Sequence, residues 1–106
     1  MTMQQMLVLG RATKDAEVLD SKEGKRYARF SVAVNELIGK DKKKKEEKSY
    51  FYNVLVFNKT CEKAELIKKG DLVMVDGRPD VDAYLSNEGE PRANIIVYAN
   101  KWKLIK

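Results

Sequence analysis

Side chains able to do covalent or acid–base chemistry are scarce in this sequence. Histidine is absent and Cys61 is the only cysteine, so two familiar catalytic and metal-binding residue types are nearly missing. Asp76 precedes Gly77, and Asp80 and Asp82 stand two apart. That spacing suits a divalent cation and equally suits a solvated acidic turn. There is no glycine-rich phosphate loop and no nucleophile motif. The pattern points away from an enzyme and implies no cofactor and no metal. What remains is a surface chemistry. Residues 48–59 read K-S-Y-F-Y-N-V-L-V-F-N-K, an aromatic, β-branched stretch flanked by lysines. Either its rings are all core, or one face is core and the other meets something flat and negatively charged.

The charge distribution bears on that choice. The chain has 106 residues and a net charge of +5, enough length for one domain and too little for two. Residues 39–48 carry six basic and three acidic side chains, whereas residues 71–91 carry one and six. Such a chain meets a polyanion on one surface and turns another away, or is merely soluble. A single cysteine forms no intrachain disulfide, which is compatible with a reducing compartment. The N-terminus M-T-M-Q-Q-M-L-V-L-G lacks a basic signal-peptide start. No stretch approaches the roughly 20 apolar residues of a membrane span.

Several elements must position the aromatic stretch. Residues 3–12 read as a first strand closed by Gly10, and residues 13–25 as a polar connection with a turn at S-K-E-G-K. From Arg26 to Asn35 the period is two: Ala28, Phe30, Val32 and Val34 share one face, Arg29, Ser31, Ala33 and Asn35 the other. G-K-D-K-K-K-K-E-E-K at 39–48 reads as a long charged hairpin loop. The next strand places Phe51, Asn53, Leu55 and Phe57 on one face and Tyr52, Val54, Val56 and Asn58 on the other. Residues 60–70 change to helical spacing, with Cys61 on the buried face, Thr60 as cap and Gly70 as terminator. A fourth strand covers 71–78, and Pro79 marks where it ends, bends or reaches an edge. S-N-E-G-E at 86–90 is a turn, and 92–105 is a fifth strand with a bulge near Ala99 or Asn100. The expected fold class is all-β: a five-stranded OB-fold barrel with a short helix between strands 3 and 4.

Four blocks carry a resemblance: M-L-V-L-G-R-A-T-K-D-A-E-V at 6–18, A-R-F-S-V-A-V-N at 28–35, F-Y-N-V-L-V-F-N-K at 51–59 and K-K-G-D-L-V-M-V-D-G-R at 68–78. Together they resemble the bacterial and phage-type single-stranded DNA-binding proteins, over nearly the whole chain. The resemblance implies one OB-fold nucleic-acid-binding domain over 1–106, with a lysine-rich hairpin loop at 39–48 and an acidic hairpin at 79–91. It implies a cytoplasmic protein, of a bacterium or a phage-infected cell, that coats and protects single-stranded DNA in replication, recombination or repair. It also implies self-association, as a homotetramer or a dimer, with the strand around Gln4 to Val8 pairing subunits.

Carried onto this chain, the family's base-stacking positions fall at Ile38, Phe51, Phe57 and Tyr84. The residues themselves agree for the strand at 50–58, because an aromatic face beside basic groups gives bases a platform and phosphates a partner. Lys42, Lys43, Lys44 and Lys45 would contact the backbone as mobile point charges. Arg11, Arg29, Lys59 and Arg78, at or within strands, are further phosphate candidates.

The chain also departs from the family pattern. Ile38 has no π face. Where many members carry arginine or lysine, this chain has P-D-V-D at 79–82; Pro79 removes an amide donor, and Asp80 and Asp82 repel phosphate. The sequence stops at W-K-L-I-K, without the acidic tip of the family, so tail-mediated recruitment of partners is not expected from it. Two other binding readings stay open. One is an OB-fold accessory protein that contacts mainly protein, and the other is a binder of single-stranded RNA.

Overall fold

The computed structural model describes residues 3–38 and 46–105. Six strands follow in order: β1 (Met6–Ala12), β2 (Glu17–Asp20), β3 (Arg26–Ile38), β4 (Glu46–Val56), β5 (Leu72–Leu85) and β6 (Pro91–Ile105). A 3₁₀ helix, Lys59–Leu66, lies between β4 and β5. The strands make one mixed sheet in the order β1-β5-β6-β4-β3-β2, and β1 also touches β3 through Arg11 and Ala12. Neighbours pair antiparallel except β4 and β6, which run parallel.

The expectation of a five-stranded barrel with its helix between strands 3 and 4 is therefore corrected. The described residues form a six-stranded mixed sheet, and the helix follows the fourth strand. The strand that the sequence conceals is β2, E-V-L-D, with a carboxylate at each end. It forms because those carboxylates find cations on β3. Glu17 pairs with Arg29 and Asp20 with Arg26 in the ladder, with ion-pair contacts of 2.7 and 3.3 Å. Opposite charges directly across a ladder stabilise a short strand by a few tenths of a kcal/mol to about 1 kcal/mol.

Period two governs β3 and β4. Ala28, Phe30 and Val32 of β3 and Val54 and Val56 of β4 are buried. From the other strands Val8, Val73, Val75 and Val97 complete a core made mostly of β-branched and small side chains. Such residues suit the pleated surface of strands. The 3₁₀ helix adds Cys61, Ala64 and the following Ile67, all buried. With three residues per turn, positions three apart eclipse one another, so this spacing lays one apolar row on the sheet. Asn58, not Thr60, caps the helix: its side-chain oxygen accepts from the Thr60 backbone N–H. Gly70 has the positive φ expected of it, +89°, but in the turn after the helix, where its N–H donates to the Ala12 carbonyl.

β5 runs straight through Pro79 to Leu85. Pairing with β1 stops at Gly77, and beyond it β5 pairs with β6 alone. Pro79 thus falls where one side of β5 is an edge and no donor is required. Lys101 pairs with Asp76 and Ala99 with Gly77, which leaves Asn100 as an extra residue and a bulge. A Cβ at Gly77 would run into the Tyr98 carbonyl, so this close approach requires glycine.

Candidate nucleic-acid interface

Registers across the sheet decide which side chains share the outer face. Arg29 stands opposite Leu55, Leu55 beside Tyr98, and Tyr98 opposite Arg78. The next tier is Ser31, Asn53, Ile96 and Asp80. Beyond it, Asp82 stands opposite Asn94, and Tyr84 opposite Arg92. Part of these tiers lines a trough of about 870 Å³, where Arg29, Asn53, Leu55 and Asp82 meet Tyr27 and Phe57, while Arg78, Tyr98, Asp80 and Tyr84 lie on the same face outside its lining.

The aromatic stretch at 50–57 divides by face. Val54 and Val56 are 0% exposed, whereas Phe51 is 61% and Phe57 52% exposed. The two phenylalanines are therefore on the outer face and are not core. Phe57, just past β4, stacks on Tyr27 with centroids 5.3 Å apart and on Tyr98 at 6.2 Å. The Arg78 guanidinium lies 5.0 Å from the Tyr98 ring centre. Three rings stacked in series, with neighbouring planes 22° and 28° apart and a cation on the last, make an aromatic platform. On the opposite face Tyr50 lies half-buried, with the Lys48 ammonium over its ring at 5.1 Å.

The cations differ in what they have left to give. Arg29 is in the trough, but its Nη2 donates to Glu17 at 2.7 Å. That hydrogen bond, with the carboxylate's charge, raises the Arg29 pKa above its ordinary value, so the group stays charged and largely compensated. Arg92 contacts Glu90 at 3.3 Å. Among the described residues Arg78 and the trough-lining Lys14 have no carboxylate partner. Arg11 does not line the trough; its Nη1 donates to the Gly70 carbonyl. Lys59 is exposed at the start of the 3₁₀ helix. Tyr84 is 44% exposed near the far end of β5. Ile38 ends β3, paired with Glu46, and Lys42, Lys43, Lys44 and Lys45 lie outside the described residues.

Sequence reasoning missed Tyr27 and Tyr98. The alternation of β3 could have found Tyr27, which shares parity with Arg29. Tyr98 shares parity with Arg92 and Asn94, opposite the buried Val97 and Ala99, so the alternation of β6 could have found it as well.

The family model for the single-strand binding protein family matches residues 3–105. The chain belongs to that family. A single-stranded DNA-binding protein of Neisseria meningitidis is 28% identical over 106 residues, which is 99% of this chain and 61% of that protein. One of Fusobacterium nucleatum is 32% identical over 92% of this chain and 64% of its own length. The chain thus spans less than two thirds of these curated relatives. Two solved structures share the fold at 20% identity. A small single-stranded DNA-binding protein of Streptomyces coelicolor has a TM-score of 0.82, covering 99% of this chain and 96% of that one. The Plasmodium falciparum protein in complex with single-stranded DNA has a TM-score of 0.73, covering 99% and 95%. No helix among the described residues is long and apolar enough to cross a membrane.

Proposed function

We propose that the chain binds single-stranded DNA, holding it unpaired and shielded in the cytoplasm of a bacterium or phage-infected cell during replication, recombination or repair. The observation that carries this reading is the Tyr27–Phe57–Tyr98 platform, its middle ring exposed and its two tyrosines half-buried, with Arg78 over its end, in a chain of the single-strand binding family. Unpaired bases stack on the rings, an interaction that accepts every base and contributes about 1–3 kcal/mol each. Arg78 and Lys14 neutralise phosphates, and Lys42–Lys45 extend that electrostatic contact. Duplex DNA binds weakly because its bases are not free to stack.

Self-association belongs to the same reading. Only Arg11 and Ala12 of β1 pair with β3, so the Met6–Leu9 edge is unpaired on that side. Leu7 and Leu9 are 66% and 53% exposed beside it. This edge and its apolar side chains fit pairing with a second copy, as a dimer or within a tetramer.

Fluorescence anisotropy of labelled dT oligomers at two salt concentrations tests the function, with a duplex and an rU oligomer alongside and the sample mass determined. Affinity for dT that falls steeply with salt, and exceeds that for duplex, is the expected result. Tighter binding of rU than of dT would move the reading to RNA. No binding at low salt would move it to a domain that contacts protein, the reading that the acidic side chains on this face favour.

A further inference from the structure

Three carboxylates line the trough: Asp15, Glu17 and Asp82. Two are already engaged. Asp15 accepts from the Lys69 backbone N–H at 2.8 Å, and Glu17 holds Arg29 at 2.7 Å. Asp82 accepts no hydrogen bond and joins no ion pair among the described residues. Its neighbour Asp80 differs, because its Oδ1 takes the Val81 N–H at 2.8 Å. Asp82 stands opposite Asn94, and Asn94 and Phe51 immediately precede the paired residues Ile95 and Tyr52. An exposed ring, an amide and a free carboxylate thus occupy one tier of the outer face.

We propose that Asp82 is a specificity-determining residue that makes this trough favour guanine over thymine. The proposal rests on the single-strand reading above. A base that lies flat on Phe51 with its Watson–Crick edge on the side of Asn94 and Asp82 meets that carboxylate. A carboxylate only accepts hydrogen bonds. Guanine offers it two adjacent donors, N1–H and the N2 amino group. Thymine offers one, N3–H, flanked by two carbonyl oxygens that repel the carboxylate. Cytosine and adenine each place an amino donor beside a ring-nitrogen acceptor and fall between. Asn53 and Asn94 do not discriminate in this way, since an amide both donates and accepts. Stacking alone is largely tolerant of sequence, so the edge contact is what would grade the bases.

The test compares a labelled dT oligomer with one of equal length in which isolated dG replaces some thymines, spaced to prevent guanine self-association. Both are titrated by anisotropy against the wild-type chain, D82N and D80N. Asp82 is exposed and asparagine nearly isosteric, so the fold is retained; a melting curve checks this. The wild type should bind the dG-containing oligomer about fivefold tighter, the low end for a bidentate base contact because the site is open to water. D82N should bring that ratio to about one while binding dT no more weakly than the wild type. D80N should keep the ratio. Equal affinity of the wild type for both oligomers, or an unchanged ratio in D82N, overturns the proposal and leaves the single-strand reading standing. Binding of neither oligomer overturns that reading and the proposal with it.

Discussion

The two ends of the outer face are built from the same sheet and carry opposite electrostatics. At one end Tyr27, Phe57 and Tyr98 stack in series and Arg78 covers the last ring. At the other, Tyr84 shares its strand face with Asp80 and Asp82. Both ends offer aromatic surface. Only the first combines it with a cation free of a carboxylate partner among the described residues. Single-strand binding needs a platform for the base and a positive charge for the phosphate at the same place. On the proposed function the first end should therefore carry most of the affinity, and the second modulate it.

The largest effect expected follows from removing the middle ring. Phe57→Ala leaves Tyr27 and Tyr98 without their shared neighbour and should weaken dT binding by about 2–3 kcal/mol. Because Phe57 is 52% exposed, folding should lose only about 1–2 kcal/mol. Anisotropy and a melting curve on one sample separate the two. Unfolding without a specific loss of binding would mean that the ring is structural. Arg78→Ala should cost about 1 kcal/mol and lower the slope of log affinity against log salt by about one. A changed affinity at unchanged slope would place Arg78 on the ring alone and not on phosphate.

How much of this was legible in the sequence depended on whether a side chain's partners were near it in the pattern. The alternation of Ala28, Phe30 and Val32 against Arg29 and Ser31 fixed β3, and that of Val54 and Val56 against Phe51 and Asn53 fixed β4. The bulge at Asn100 was readable because continued alternation would have put Lys101 on the face of Val97. β2 was not readable: Glu17 and Asp20 look like loop residues until Arg29 and Arg26 stand opposite them. The cap was misplaced by two residues because Asn58 and Thr60 are both good caps and only the backbone path chooses. Phe51 and Phe57 were grouped on one strand face in advance and Arg29 opposite the face of Phe30, whereas Arg78 was read only as a cation at or within a strand, alongside Arg11. Arg11 was not separable from Arg78, since nothing in its neighbours shows that the Gly70 carbonyl lies within reach.

Asp80→Asn tests the acidic end from the other direction. Removing one charge near the phosphate path should raise dT affinity about twofold at low salt, corresponding to about 0.5 kcal/mol at a separation of roughly 8 Å in water. The gain should shrink as salt approaches 0.15 M, where the screening length is about 8 Å. A gain that persists at high salt would assign Asp80 a contact role in place of a field effect.

Tyr84→Ala should produce the smallest change, below about 0.5 kcal/mol for short oligomers. The ring is 44% exposed and therefore open to a base, yet it faces Arg92, whose charge is shared with Glu90 at 3.3 Å, and it lies one turn of the alternation from Asp82. A base reaching Tyr84 brings its phosphate into that negative field, which offsets most of the stacking. Length resolves this. If oligomers long enough to cross the whole sheet lose no more affinity than short ones on Tyr84→Ala, the strand leaves the trough before the acidic end. If the long oligomers alone lose about 1 kcal/mol, the strand continues across it, and the field of Asp80 and Asp82 is weaker than the ring's attraction.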